Sequence, residues 1–82
     1  LFGLTRFSAH MDVRAEWDNE ALVWVATSDD VPGLVTEAPS IEVLVDHLRI
    51  IIPELMALNR GIVGQPFEFH VTSERTAIAE AA

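Results

Sequence analysis

Residues 24–38 decide the fold. They read Trp24-Val25-Ala26-Thr27-Ser28-Asp29-Asp30-Val31-Pro32-Gly33-Leu34-Val35-Thr36-Glu37-Ala38. The run from Leu22 to Ser28 is rich in aromatic and β-branched residues, the composition of a strand. Asp29 to Gly33 then breaks it, because proline lacks an N–H donor and glycine permits positive φ. Leu34 to Glu37 resumes as a short third strand. The stretch is therefore strand, tight break, strand.

On the N-terminal side, Asp12 to Trp17 alternates. Val13, Ala15 and Trp17 share one side, and Asp12, Arg14 and Glu16 the other, as in a half-buried strand. Asp18-Asn19-Glu20 supplies turn formers, so the first two strands form an antiparallel hairpin. Residues 1–10, LFGLTRFSAH, have no period and no charge pattern. His10-Met11 has the look of a cloning-site join, and residues 1–10 are expected to be vector-derived or an upstream extension. A native arm that docks Phe2, Leu4 and Phe7 on an apolar surface is the alternative.

On the C-terminal side, Pro39-Ser40 opens a helix, with Ser40 as N-cap and Glu42 in the first turn. Ile41, Leu44, Val45, Leu48, Ile51, Ile52, Leu55 and Met56 fall on one stripe. Pro53 removes a backbone donor inside the pattern and predicts a kink or a loosened turn. Asn59-Arg60-Gly61 ends the helix, with Gly61 at C′. Phe67, Phe69 and Val71 alternate with Glu68, His70 and Thr72 in a fourth strand. Glu74 to Ala82 is Ala-rich and reads as a frayed helical tail. The order is β-β-β-α-β, an α+β two-layer domain: a small antiparallel-rich sheet with one long helix on one face. The domain spans 11–75, and 76–82 form a C-terminal tail.

A chain of 82 residues supports one small core. There is no cysteine, which excludes disulfides, thiolate catalysis and Cys-based zinc sites. No apolar stretch is long enough for a bilayer span, and a cytoplasmic location fits. Thirteen acids against five arginines give a net charge of −8. Phosphate-backbone binding needs clustered cations, and the arginines are scattered, so no direct nucleic-acid binding is expected. An acidic domain complements a basic partner; the plainer reading is that its charge keeps it soluble.

Catalytic constellations are weak. Asp12, Glu16, Asp18, Asp29 and Asp30 invite comparison with a two-metal nuclease. Yet Asp12 and Glu16 lie on a solvent-type strand face, and Asp29 and Asp30 lie in a turn, where they can cap the loop backbone. His10, His47 and His70 show no metal-ligand spacing. Ser28, Asp46 and His70 come from three elements and carry little weight as a triad. No enzyme activity and no cofactor or metal is expected. Trp17 and Trp24 flank the hairpin turn and suit the core, a sheet face or a binding hot spot.

The run from Trp24 to Ala38 resembles the signature of HicB-like antitoxins, in which a strand enters Pro-Asp-Leu-Pro-Gly and is followed by a short strand and a helix. Here Asp30-Val31-Pro32-Gly33 matches, Asp29 replaces the usual preceding proline, and Leu34 replaces the usual cysteine. The resemblance extends over residues 12–75. It is closer to short single-domain members often described only as domains of unknown function. It implies a degenerate RNase H-like domain that neutralises a small basic HicA-like mRNA interferase. Many such proteins add a C-terminal DNA-binding module. This chain stops soon after the fourth strand, so DNA binding is not implied. The expected partner-binding residues are Asp29, Asp30, Glu37 and Glu42, with Asp30, Pro32 and Gly33 as the turn motif. The alternative is a stand-alone oligomeric interaction or regulatory domain without a toxin partner; a metal-dependent nuclease ranks last. A homodimer or dimer of dimers is expected. Its interface is assigned to Val43, His47, Ile50 and Ala57, because Val43, Ile50 and Ala57 recur at intervals of seven opposite the core stripe; the outer sheet face carrying His70 and Thr72 is the alternative surface.

Overall fold

The computed structural model of the chain describes residues 9–81. Its elements are β1 (Ala9–Asp18), β2 (Val23–Thr27), β3 (Val35–Ala38), α1 (Ile41–Arg60) and β4 (Phe67–Glu74). The strands form one sheet in the order β3-β2-β1-β4. β1 pairs antiparallel with β2, β2 antiparallel with β3, and β1 parallel with β4. The fold is α+β, with one helix on a four-stranded mixed sheet. β3 and β4 run the same way at opposite edges, so α1 must cross the sheet between them.

The crossing buries residues on one face of β1, β2 and β3 and partly covers β4. Met11, Val13 and Ala15 of β1, Ala26 of β2 and Ala38 of β3 meet Leu44, Leu48, Ile52 and Met56 of α1 in the core. The spacing of four along α1 keeps these side chains on one stripe. Ala15 and Ala26 are opposite each other and fully buried, and such small side chains let a helix approach the sheet closely. Ile41, Ile51 and Leu55 flank the stripe.

The breaks in the chain have local causes. Leu34 N–H donates to the Val31 carbonyl at 3.2 Å, and Gly33 has φ 79°. With Pro32 second and Gly33 third, Val31–Leu34 is a type II turn, whose third position requires positive φ. Val31 and Leu34 are both buried, so the turn is pinned at both ends. Asn59 Nδ2 at the end of α1 adds a bond to the Pro32 carbonyl at 3.3 Å. Ser40 caps α1 by accepting from Val43 N–H, and Gly61, with φ 67°, ends it.

Three expectations need correction. β1 begins at Ala9 rather than Asp12, because Ala9 and His10 continue the parallel ladder opposite Phe67 and Glu68. Ala9 and His10 therefore belong to the sheet; residues 1–8, including Phe2, Leu4 and Phe7, lie outside the described residues. Leu22 is not a strand residue. It is exposed, has φ 59°, and donates N–H to the Asp18 carbonyl at 2.8 Å. Asp18 Oδ1 also accepts from Glu20 and Ala21 N–H, so Asp18 organises the whole turn. Pro53 lies within the single helical element α1, on its exposed side. Residues 75–81 contain no helix. An isolated helix that short is not self-supporting without packing.

Candidate functional site

The helix covers one side of the sheet. Alternation turns His10, Asp12, Arg14 and Glu16 of β1 to the other side, together with Glu37 of β3 and Glu68, His70, Thr72 and Glu74 of β4. All of these side chains are exposed. Val23, Val25 and Thr27 of β2 and Asp18 of β1 lie on the same face half-buried, and Val35 of β3, in register with Thr27, is an exposed apolar residue on it. Asp12, Glu16, Glu37, Glu68 and Glu74 are acidic, and Arg14 is the arginine among them. Glu16 and Glu74 lie directly opposite each other, a like-charge pair that costs stability. Such a pair is tolerated on a solvated face and relieved by a cation placed over it.

At the end of this face next to the β2–β3 loop is a concave site of ≈ 410 Å³. Asp12, Arg14, Thr27, Ser28, Asp29 and Asp30 line it, with Thr72. The loop holds its shape through side chains that take over from the strand. Asp12 has N–H and C=O aimed at β2, but β2 has ended at Thr27. Asp30 Oδ2 accepts the Asp12 N–H at 2.8 Å, and Ser28 Oγ donates to the Asp12 carbonyl at 2.6 Å. Ser28 Oγ in turn accepts from Asp30 N–H at 3.0 Å. Ser28 and Asp30 thus substitute for a missing pair of ladder residues.

The expected partner-binding residues divide accordingly. Asp30 is committed to the fold through Asp12. Asp29 is exposed and, among the described residues, makes no hydrogen bond or ion pair. Glu37 shares the sheet face with the concave site, paired opposite Val25. Glu42 does not join them: it lies on the first turn of α1, in the other layer. Asp30, Pro32 and Gly33 form the turn as expected. Sequence reasoning did not single out Arg14 and Thr27, and named Thr72 only as part of an outer sheet face; the pairing of Arg14 with Thr27 and with Thr72 brings the three together. Ser28 was noticed only as a triad member; the Ser28-x-Asp30 spacing was the available signal for its bond to the loop.

Two histidines sit beside Asp12, at the same end of the outer face as the concave site. His10 Nε2 is 3.3 Å from Asp12 Oδ1, and the rings of His10 and His70 are 6.4 Å apart. No group of three or more His, Asp or Glu side chains among the described residues has a geometry that would hold a metal ion. On the helix side of the sheet, Trp17 and Trp24 make an edge-to-face contact at 5.4 Å, and the Arg75 guanidinium lies 4.2 Å from the Trp17 ring centre. Such contacts fix the rim of the domain at the hairpin. On α1, Val43 and Ile50 are exposed, and His47 and Ala57 are half-buried. No helix among the described residues is long and apolar enough to cross a membrane.

The comparisons with known proteins agree with this layout at the level of family and fold. The model of a family described as "Domain of unknown function (DUF1902)" matches residues 10–80. A crystal structure of a hypothetical protein from the extremely thermophilic bacterium Thermus thermophilus is similar to this chain. It shares 43% sequence identity over 85% of this chain and 99% of that chain, with a TM-score of 0.73. No curated protein matches the chain.

Proposed function

The chain belongs to the DUF1902 family of domains of unknown function, and we propose that it is an antitoxin-type binding protein that neutralises a small basic toxin. The observation that carries this reading is the open sheet face. Its strand positions present five acids and one arginine to solvent, and the exposed Asp29 carboxylate stands at its rim. A flat acidic surface with one concave end suits a basic globular partner. Long-range attraction steers such a partner, and burial at contact neutralises pairs such as Glu16 and Glu74. The resemblance of residues 24–38 to the HicB-like signature supports the same role and suggests an mRNA interferase of the HicA type as the partner. In this reading the domain blocks by occupancy and needs no catalysis, no cofactor and no nucleic-acid contact of its own. The site of action would be the cytoplasm, where such a toxin acts.

The test is a titration of the purified chain with a small basic protein, the product of the adjacent reading frame being the first candidate if it is of that kind. A one-to-one complex that weakens in Asp29→Asn and Glu37→Lys variants supports the proposal. Binding that survives both changes, or no binding, refutes it.

A further inference from the structure

We propose that β4 is the seam of a homodimer, in which two copies pair their β4 strands antiparallel about Phe69. The inference does not depend on the antitoxin reading, since the outer face is left open by it.

β4 is a free edge among the described strands, eight residues long. The opposite edge, β3, has four residues and is followed by Pro39, which blunts it. The direction of the β4 backbone groups follows from the ladder. Asp12 turns its N–H to the β2 side, where Asp30 takes it. Alternation then aims Met11 and Val13 at β4. Val13 is in register with Val71, so His70 and Thr72 bond back to β1. Phe67, Phe69 and Val71 are left with N–H and C=O aimed outward, unpaired by the sheet.

The side chains of the same three residues are incompletely covered. Met11 and Val13 are buried at 2% and 1% exposure, whereas Phe69 and Val71, their partners on β4, are only half-buried. α1 lies over the inner strands and leaves a groove beside β4, lined by Ile52, Pro53, Pro66, Phe67 and Phe69 among others. One further strand at this edge would close both the backbone ladder and the groove.

The occupant that fits is β4 itself. With the two-fold axis at Phe69, Phe69 faces its own copy, Phe67 faces the partner's Val71, and all three apolar residues gain a neighbour on the helix side. On the outer side Glu68 then faces the partner's His70, twice per dimer. A register centred on Val71 would instead set Glu68 against the partner's Glu74, a like-charge pair. The axis is perpendicular to the sheet, so both helices stay on one face of a continuous eight-stranded sheet.

Sedimentation equilibrium of the whole chain at high micromolar concentration tests this. The wild type should be dimeric. Val71→Pro removes an outward N–H and no ladder bond to β1, so it should leave the far-UV spectrum intact and give monomer. His70→Glu changes an exposed side chain and sets like charges across the seam; it should raise the dissociation constant by about tenfold or more. Adding Glu68→Lys to it should restore the dimer. A monomeric wild type overturns the proposal. So does a dimer insensitive to both Val71→Pro and His70→Glu, and dissociation by Ile50→Glu alone would then move the seam to the exposed face of α1.

Discussion

On β1, Met11, Val13 and Ala15 are almost wholly buried, while His10, Asp12, Arg14 and Glu16 between them are exposed. The two sets share a strand and differ only in parity. The inner set is constrained by volume, because α1 presses on it and cores are close-packed. The outer set is constrained by almost nothing in the fold: its residues tolerate a like-charge pair, and an arginine flanked by acids along the strand and by threonines across it. Residues that the fold does not require are where a binding role can be placed without cost to stability, and that is why the acidic face, rather than the helix side, is the candidate interface.

The contrast is sharpest in stability. Leu48 is fully buried against the sheet, and Leu48→Ala should cost about 2–5 kcal/mol by lost burial and cavity formation. Glu16→Gln on the outer face should stay within about 0.5 kcal/mol, and relief of the contact with Glu74 favours the stabilising side. Urea melts of the two variants measure the difference. Equal losses would break the distinction between the faces.

The next largest effect lies in the turn. Gly33→Val forces a β-branched residue to φ 79°, which should cost about 1–3 kcal/mol. A Cβ there would meet Leu55 and Asn59 at 3.9–4.0 Å, ordinary contact distances, so strain rather than collision is the cause. Gly33→Asn, a residue that enters the left-handed region more readily, should lose less. An unchanged urea midpoint for Gly33→Val would remove the turn from the account.

How much of this was legible depends on range. The α1 stripe, the Ser40 cap and the Val31-Pro32-Gly33 turn are local patterns, and they were read from the sequence. The parallel pairing of β4 with β1 joins residues more than fifty positions apart, and no local pattern encodes a strand's direction. Leu22 read as strand because a leucine beside Val23 and Trp24 looks like one; the Asp18 side chain instead closes the turn around it. The Ala-rich tail reads as helix by propensity, but propensity alone does not hold a short helix. Asp29 and Asp30 were visible as loop acids expected to cap the loop backbone; the Asp30 side chain instead ties the loop to the Asp12 N–H of β1, and Ser28 bonds the loop backbone. That Asp12, Glu16, Glu37, Glu68 and Glu74 share one face follows only from the register of three strand pairings.

Two neighbouring acids then separate fold from function at close range. Asp30→Ala leaves the Asp12 N–H without its acceptor and should cost about 1 kcal/mol. Asp29→Ala should leave stability unchanged within about 0.5 kcal/mol. Thermal melts of both check this, and the reverse order would mean that the loop is held differently. The smallest effect concerns Leu22. Leu22→Gly should raise stability by about 0.5 kcal/mol, because glycine accepts φ 59° and the exposed side chain contributes no core packing. A loss of stability would show that Leu22 packs in a way its exposure conceals.

The central claim is that the outer sheet face binds a basic partner by charge. Its most direct test is the association rate of the purified chain with such a small basic partner protein, measured across a range of salt concentrations. The account predicts a rate that falls steeply as salt rises and a flatter dependence in a Glu16→Gln, Asp29→Asn, Glu37→Gln variant of unchanged stability. An association rate indifferent to salt, or a variant with the wild-type salt dependence, would contradict it.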